Sequence, residues 1–141
     1  MEQDNFVHIK KNVKRQYSTY KNYTRSDFLE WFRGLVDSEG SFRVISVNSN
    51  NFGFRFEIGL HLDDINMLEF IKQNLQRGNV TTPGKVSYFT ITIQKEIRLL
   101  IDIFCNNPLN STKRLNFLDF KKAFDLYTST KDKSPSLTKT P

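Results

Sequence analysis

Apolar residues in this chain recur with two different periods, and the order in which those periods alternate outlines a fold. Phe28, Phe32, Leu35 and Val36 recur at helical spacing. Thr24 followed by Asp27 is a helix-start box, so a first helix is predicted from near Arg25 through Val36. A strand is expected from Ser41. The run Phe54-Arg55-Phe56-Glu57-Ile58-Gly59-Leu60-His61 alternates apolar with other residues, as a strand buried on one face does. Between these strands Asn48-Ser49-Asn50-Asn51 supplies turn chemistry, which predicts an antiparallel hairpin. Asp63 or Asp64 is placed to cap a second helix in which Ile65, Leu68, Ile71 and Leu75 form a stripe, ending at Arg77-Gly78.

A second hairpin follows. A short strand is expected over residues 79–82, and Pro83-Gly84 turns the chain. Residues 87–94 then alternate, with Phe89, Ile91 and Ile93 on one face and Tyr88, Thr90, Thr92 and Gln94 on the other. Ile97, Leu100, Ile101 and Phe104 make a third helical stripe, stopped by Asn106-Asn107-Pro108. Ser111 or Thr112 is placed to cap a fourth helix through Leu115, Leu118 and Phe124 to Tyr127. The expected organisation is a basic, weakly ordered arm over residues 1–24, one domain over 25–127, and a linker or tail over 128–141.

Helix, two strands, helix, two strands and two helices imply an α+β layer: a four-stranded antiparallel sheet with helices on one face. The opposite face would carry Arg43, Arg55, Glu57, His61, Tyr88, Thr90, Thr92 and Gln94. A length of 141 residues suits one domain with its own core, to which thirteen phenylalanines contribute. The formal charge of +6 and pI near 9.5 favour a polyanionic partner, either nucleic acid or an anionic membrane surface. No run of about 18 apolar residues is present to cross a bilayer. The single Cys105 cannot form an internal disulfide, which fits a reducing or organellar compartment. On a basic protein, the polar strand face is best explained as a surface that enters a nucleic-acid groove.

The chemistry concentrates in Gly34-Leu35-Val36-Asp37-Ser38-Glu39-Gly40-Ser41-Phe42, where a helix ends and a strand begins. Gly40 offers backbone freedom for the exit. Asp37 and Glu39 face the negative pole of the helix dipole, which costs a few tenths to about 1 kcal/mol per acid unless a cation offsets it. The two readings are a cation site and a solvated helix end before an edge strand.

Together with the predicted topology, Phe32-Arg33-Gly34-Leu35-Val36-Asp37-Ser38-Glu39-Gly40 resembles the name-giving segment of the LAGLIDADG homing endonucleases. Ser41-Phe42, Gly59-Leu60-His61 and Asn107-Pro108-Leu109-Asn110-Ser111-Thr112-Lys113-Arg114 extend the resemblance over roughly residues 25–127. The resemblance implies an αββαββα unit, and an endonuclease, an RNA maturase or both, encoded in organelle introns. As an endonuclease it would make metal-dependent double-strand cuts at intron insertion sites. As a maturase it would bind its host group I intron RNA and assist splicing. Glu39 matches the metal-binding acid, and the Ser38 carbonyl would add an oxygen to a Mg²⁺ shell. Lys113 matches a basic residue that orients water or stabilises the transition state. Asp37 matches a more structural acid.

Further expectations follow from the same resemblance. Ser41, Arg43, Arg55, Glu57, Tyr88, Thr90 and Thr92 would face double-stranded DNA, with Glu57 a departure from the usual Gln or polar residue. Trp31, Gly34, Leu35 and Ser38 would form a close helix–helix contact with a second copy or a second repeat, which makes a split or truncated two-repeat protein an expectation. No membrane partner is implied, and the expected location is the mitochondrion. One local pattern departs from the family. After Phe42 and Val44 the apolar parity switches to Ile45 and Val47, which places them towards DNA to meet thymine methyls, or calls for a bulge, or reflects relaxed selection on DNA reading.

Overall fold

The computed structural model describes residues 24–138, so the basic arm, Thr24 apart, lies outside the described residues. Helix α1 (Arg25–Glu39) opens with the predicted box: the Thr24 hydroxyl accepts from Asp27 N, and the Asp27 carboxylate accepts from Thr24 N. Two strands, β1 (Gly40–Asn48) and β2 (Asn51–His61), follow as an antiparallel hairpin. A 3₁₀ turn (Leu62–Asp64) leads into α2 (Ile65–Leu75), then β3 (Asn79–Thr81) and β4 (Val86–Ile91). The chain closes with α3 (Gln94–Asn106) and α4 (Lys113–Thr138). The strand order β1-β2-β4-β3 makes one four-stranded antiparallel sheet, the α+β class that the alternating periods imply.

Phenylalanines join the helices to the inner sheet face. On β2, Phe54, Phe56, Ile58 and Leu60 are buried, and Phe89 and Ile91 continue that face on β4. Phe32 of α1 stacks at 5.6 Å on Phe104 of α3, and Phe42 of β1 meets Phe117 and Phe120 of α4 at 5.5 and 5.3 Å. Burying each such ring contributes about 1.5–3 kcal/mol, so the sheet is fixed against its helices from several sides.

Several expectations are corrected. Residues 87–94 do not form one strand: β4 stops at Ile91, Ile93 is exposed and Gln94 begins α3. Thr92 and Gln94 therefore leave the row of strand residues on the open face. Ser87, not an apolar side chain, fills the inward position before Phe89, and it meets the Thr82 hydroxyl at 2.9 Å. In α4 the buried side is Phe117, Phe120 and Phe124, whereas Leu115 and Leu118 are exposed. The helix also runs past its expected end at Tyr127, to Thr138. At the entry to α2 the cap falls on Asp64, the second of the two expected positions. The His61 ring accepts from Asp63 N, and Asp64 occupies the cap position without a side-chain cap bond.

Gly40 differs in its reason. Its φ of −77° is open to any residue, but an added Cβ would come within 2.6 Å of a Val36 methyl and 2.8 Å of the Val36 carbonyl. Close approach of the chain to the preceding turn, rather than a special backbone angle, demands glycine there. Gly78 does need its conformation, with φ of +90° and a Cβ position that would fall 2.6 Å from the Phe89 ring.

Candidate functional site

The last turn of α1 brings two acids to the same end of the sheet and gives them different surroundings. Asp37 accepts from Asn110 N at 2.9 Å, from Ser111 N at 3.1 Å and from the Ser111 hydroxyl at 3.0 Å. Ser111 in turn accepts from Lys113 N at 3.1 Å, so Asp37 holds the segment before α4 and Ser111 satisfies the first N–H group of that helix. Partial burial works to raise the Asp37 pKa, but the N–H groups of Ser111 and Asn110, the Ser111 hydroxyl and the nearby Arg33 guanidinium outweigh it. The carboxyl is held below the ordinary value of 3.8. Arg33 also donates to the Pro108 carbonyl at 3.2 Å, a second tie between α1 and the segment before α4.

Glu39 is exposed at the helix end and makes no side-chain hydrogen bond or ion pair among the described residues. No basic residue occupies the last turn of α1, so the negative end of that helix is left to Asp37, whose charge is stabilised by hydrogen bonds, and to Glu39, whose charge is not. The Ser38 carbonyl is among the last four of the helix, which have no intrahelical donor. A carboxylate and a carbonyl are the hard oxygen donors that Mg²⁺ takes, so the donor chemistry fits that ion. Among the described residues no group of three or more His, Cys, Asp or Glu could hold a metal ion. Lys113 begins α4, and its backbone is drawn to the acid end by the Ser111 and Asp37 bonds.

From that end the outer sheet face extends in cross-strand rows. Ser41 of β1 pairs with Glu57, which pairs with Thr90, which pairs with Asn79. Farther from the acid, Arg43 pairs with Arg55, and Ile45 with Gly53. The Arg43 guanidinium meets Glu57 at 2.7 Å and that of Arg55 meets it at 3.5 Å. Tyr88 lies opposite Gly59, and a Cβ there would fall 3.0 Å from its ring, so the missing side chain lets the tyrosine lie across the strand. The register between β1 and β2 shifts only between Ser46 and Asn48, too late to turn Ile45 inward. Val47 shares the open face, its methyl 3.7 Å from the position of a Gly53 Cβ.

Sequence reasoning left out Asn79 and Thr81, which share the open face through their pairs with Thr90 and Tyr88. The alternation around Val80 in this short strand was the signal available. On α1, Gly34 and Ser38 are exposed, and nothing lies within 4 Å of a Gly34 Cβ. Leu35 is half-buried against the core, and the Trp31 ring meets Phe70 edge-on at 5.4 Å, so these two side chains also serve their own domain.

Residues 32–124 match the family model described as LAGLIDADG endonuclease. The chain belongs to the LAGLIDADG endonuclease family. Within it, this LAGLIDADG chain is 32% identical over 125 residues to probable intron-encoded endonuclease 3 of Neurospora crassa, covering 82% of this chain and 23% of that protein. It is 27% identical over 107 residues to probable intron-encoded endonuclease Cox1-I1b of Schizosaccharomyces pombe, covering 72% and 28%. The chain thus spans about a quarter of the length of these curated relatives. Among solved structures, the LAGLIDADG meganuclease I-AabMI bound to uncleaved DNA is similar with a TM-score of 0.68 and 31% identity, over 73% of this chain and 38% of that one.

Proposed function

We infer that this chain is one half-unit of a site-specific, metal-dependent DNA endonuclease that cuts at an intron insertion site. The observation that carries this reading is the exposed Glu39 carboxylate at the α1–β1 junction, standing at one end of an open sheet face that bears arginines and hydroxyls. Glu39 and the Ser38 carbonyl would hold Mg²⁺, which would supply charge neutralisation at the scissile phosphate and a more acidic attacking water. Lys113, at the start of α4, would orient that water or stabilise the charge that develops. Ser41, Arg43, Tyr88 and Thr90 would face the groove, with lysines and arginines giving salt-dependent affinity.

One acid serves one strand. A double-strand cut needs a second copy of α1 beside the first, supplied by another chain or another repeat, and the open Gly34–Ser38 face suits that approach. An intron-encoded origin and mitochondrial residence complete the reading. Incubated with Mg²⁺ and the intron-free allele of its insertion site, the protein is expected to cut both strands. Glu39→Gln should lower cutting by at least a hundredfold while binding is retained; unchanged cutting would remove Glu39 from the mechanism.

A second reading, an RNA-binding maturase for the host group I intron, is favoured by one observation: Ile45 and Val47 lie on the open face with 42% and 66% exposure. Splicing of that intron that survives Glu39→Gln, in a protein that does not cut DNA, would select it.

A further inference from the structure

Two like charges placed directly opposite each other on a sheet repel, yet Arg43 and Arg55 occupy such a pair on the outer face. Glu57 resolves this by meeting both: its Oε1 lies 2.7 Å from Arg43 Nη2 and its Oε2 lies 3.5 Å from Arg55 Nη2. Its side chain is only 16% exposed, against 53% for Arg43. The acid therefore lies under the arginines, and Arg43 reaches outward. A guanidinium carries five N–H donors, and Glu57 engages only the Nη2 group of Arg43. Arg55 Nε is buried with no hydrogen-bond partner among the described residues, so Glu57 does not exhaust that arginine either.

We propose that Glu57 is a positioning residue that fixes Arg43 to read a guanine in the target, and that Ile45 and Val47 read thymine methyls farther from the cut. This rests on the DNA-reading function proposed above and deepens it to a pattern of bases. Arginine held in one plane can bond guanine O6 and N7 together, and apolar side chains in the major groove contact the thymine methyl. The spacing follows from two repeats. Side chains on one strand face recur every two residues, about 6.8 Å, which is close to two base steps of about 3.4 Å. With β1 along the groove and Glu39 at the cut, Arg43 meets its base pair before Ile45 and Val47 meet theirs. Ile45 falls about two base pairs farther out, and Val47, at the irregularity after Ser46, lies beyond it.

An acid on a DNA-binding face invites a different explanation, in which Glu57 only repels phosphate. The two explanations differ in sign. If the acid merely repels, Glu57→Gln tightens binding to every duplex and leaves base preference unchanged. If it positions Arg43, the same change loosens the preference for guanine, because Arg43 is released into many rotamers.

The test uses the full chain in magnesium-free buffer and a duplex library randomised across the half-site, with bound duplexes sequenced. A consensus with guanine on the cut side of a thymine about two base pairs farther out, and a second thymine beyond that, is expected. Arg43→Gln and Ile45→Ser should each relax one position. Glu57→Gln should reduce the guanine preference roughly tenfold while affinity for random duplex holds or rises, and Glu57→Asp should restore part of it. Thermal melts of each variant exclude a folding defect as the cause. Guanine preference unmoved by Glu57→Gln would overturn the proposal. A wild-type consensus indifferent to Arg43, Ile45 and Glu57 would overturn it while leaving DNA reading intact, whereas no wild-type sequence preference at all would overturn both.

Discussion

Asp37 accepts hydrogen bonds from residues 73 and 74 positions away, and Glu39, two residues later, makes none among the described residues. The difference has a measurable pH consequence. Asp37 has a folded-state pKa below 3.8, so its bonds stabilise the protein above the unfolded value and are lost as pH falls through the lower folded one. Asp125 shifts the same way, chiefly through its hydrogen bond from Lys121 and against partial burial, with Arg98 adding to it. Urea midpoints should therefore be flat from neutral pH down to about 5 and fall below about 4. Asp37→Asn should remove part of that fall and cost about 1–2 kcal/mol at neutral pH, low in the range for charged hydrogen bonds because the side chain is half exposed. From sequence, the two acids were legible as a pair at a helix end. Their division of labour was not, because the partners of Asp37 come from the far end of the chain.

At the scale of elements, periodicity located the helices and both hairpins but misjudged the buried side of α4 and the end of β4. In α4, several apolar residues crowd every turn, and spacing alone admits Leu115 and Leu118 as readily as Phe117 and Phe120. The choice is made by tertiary packing: Phe120 meets Phe42 and Phe54 at 5.3 and 5.7 Å across the inner sheet face. Phe120→Ala should cost about 3–5 kcal/mol in a denaturant titration, while Leu118→Ala should stay within about 0.5 kcal/mol of wild type. In β4 the alternation continues into residues 92–94, yet helix α3 begins at Gln94, so a pattern of period two ran past the strand that produced it. On β1 the parity switch after Val44 was legible, and the structure excludes a bulge that turns Ile45 inward, because the irregularity comes only after Ser46.

For the whole molecule, the domain carries a core of its own and one exposed acid at the α1–β1 junction. The open Gly34 position connects these facts. Within a single chain, Gly34 is an exposed helix glycine with no neighbour for a Cβ, so Gly34→Ala should raise stability by about 0.5–1 kcal/mol. If two α1 helices must approach closely to cut both strands, the same substitution should lower double-strand cleavage and weaken self-association in sedimentation. Gain of stability together with loss of cutting is the expected signature. Equal cutting by the variant would move the pairing face elsewhere.

The bonds from Asp37 to Asn110 and Ser111 also bear on the order of folding. They close a loop of more than seventy residues, and such distant contacts form only after the chain between them has been drawn together. On a ribosome the segment carrying Glu39 emerges long before the one carrying Lys113. The junction therefore stays unassembled until the start of α4 has left the exit tunnel, and a chain released before that point would carry the motif without the geometry that positions it.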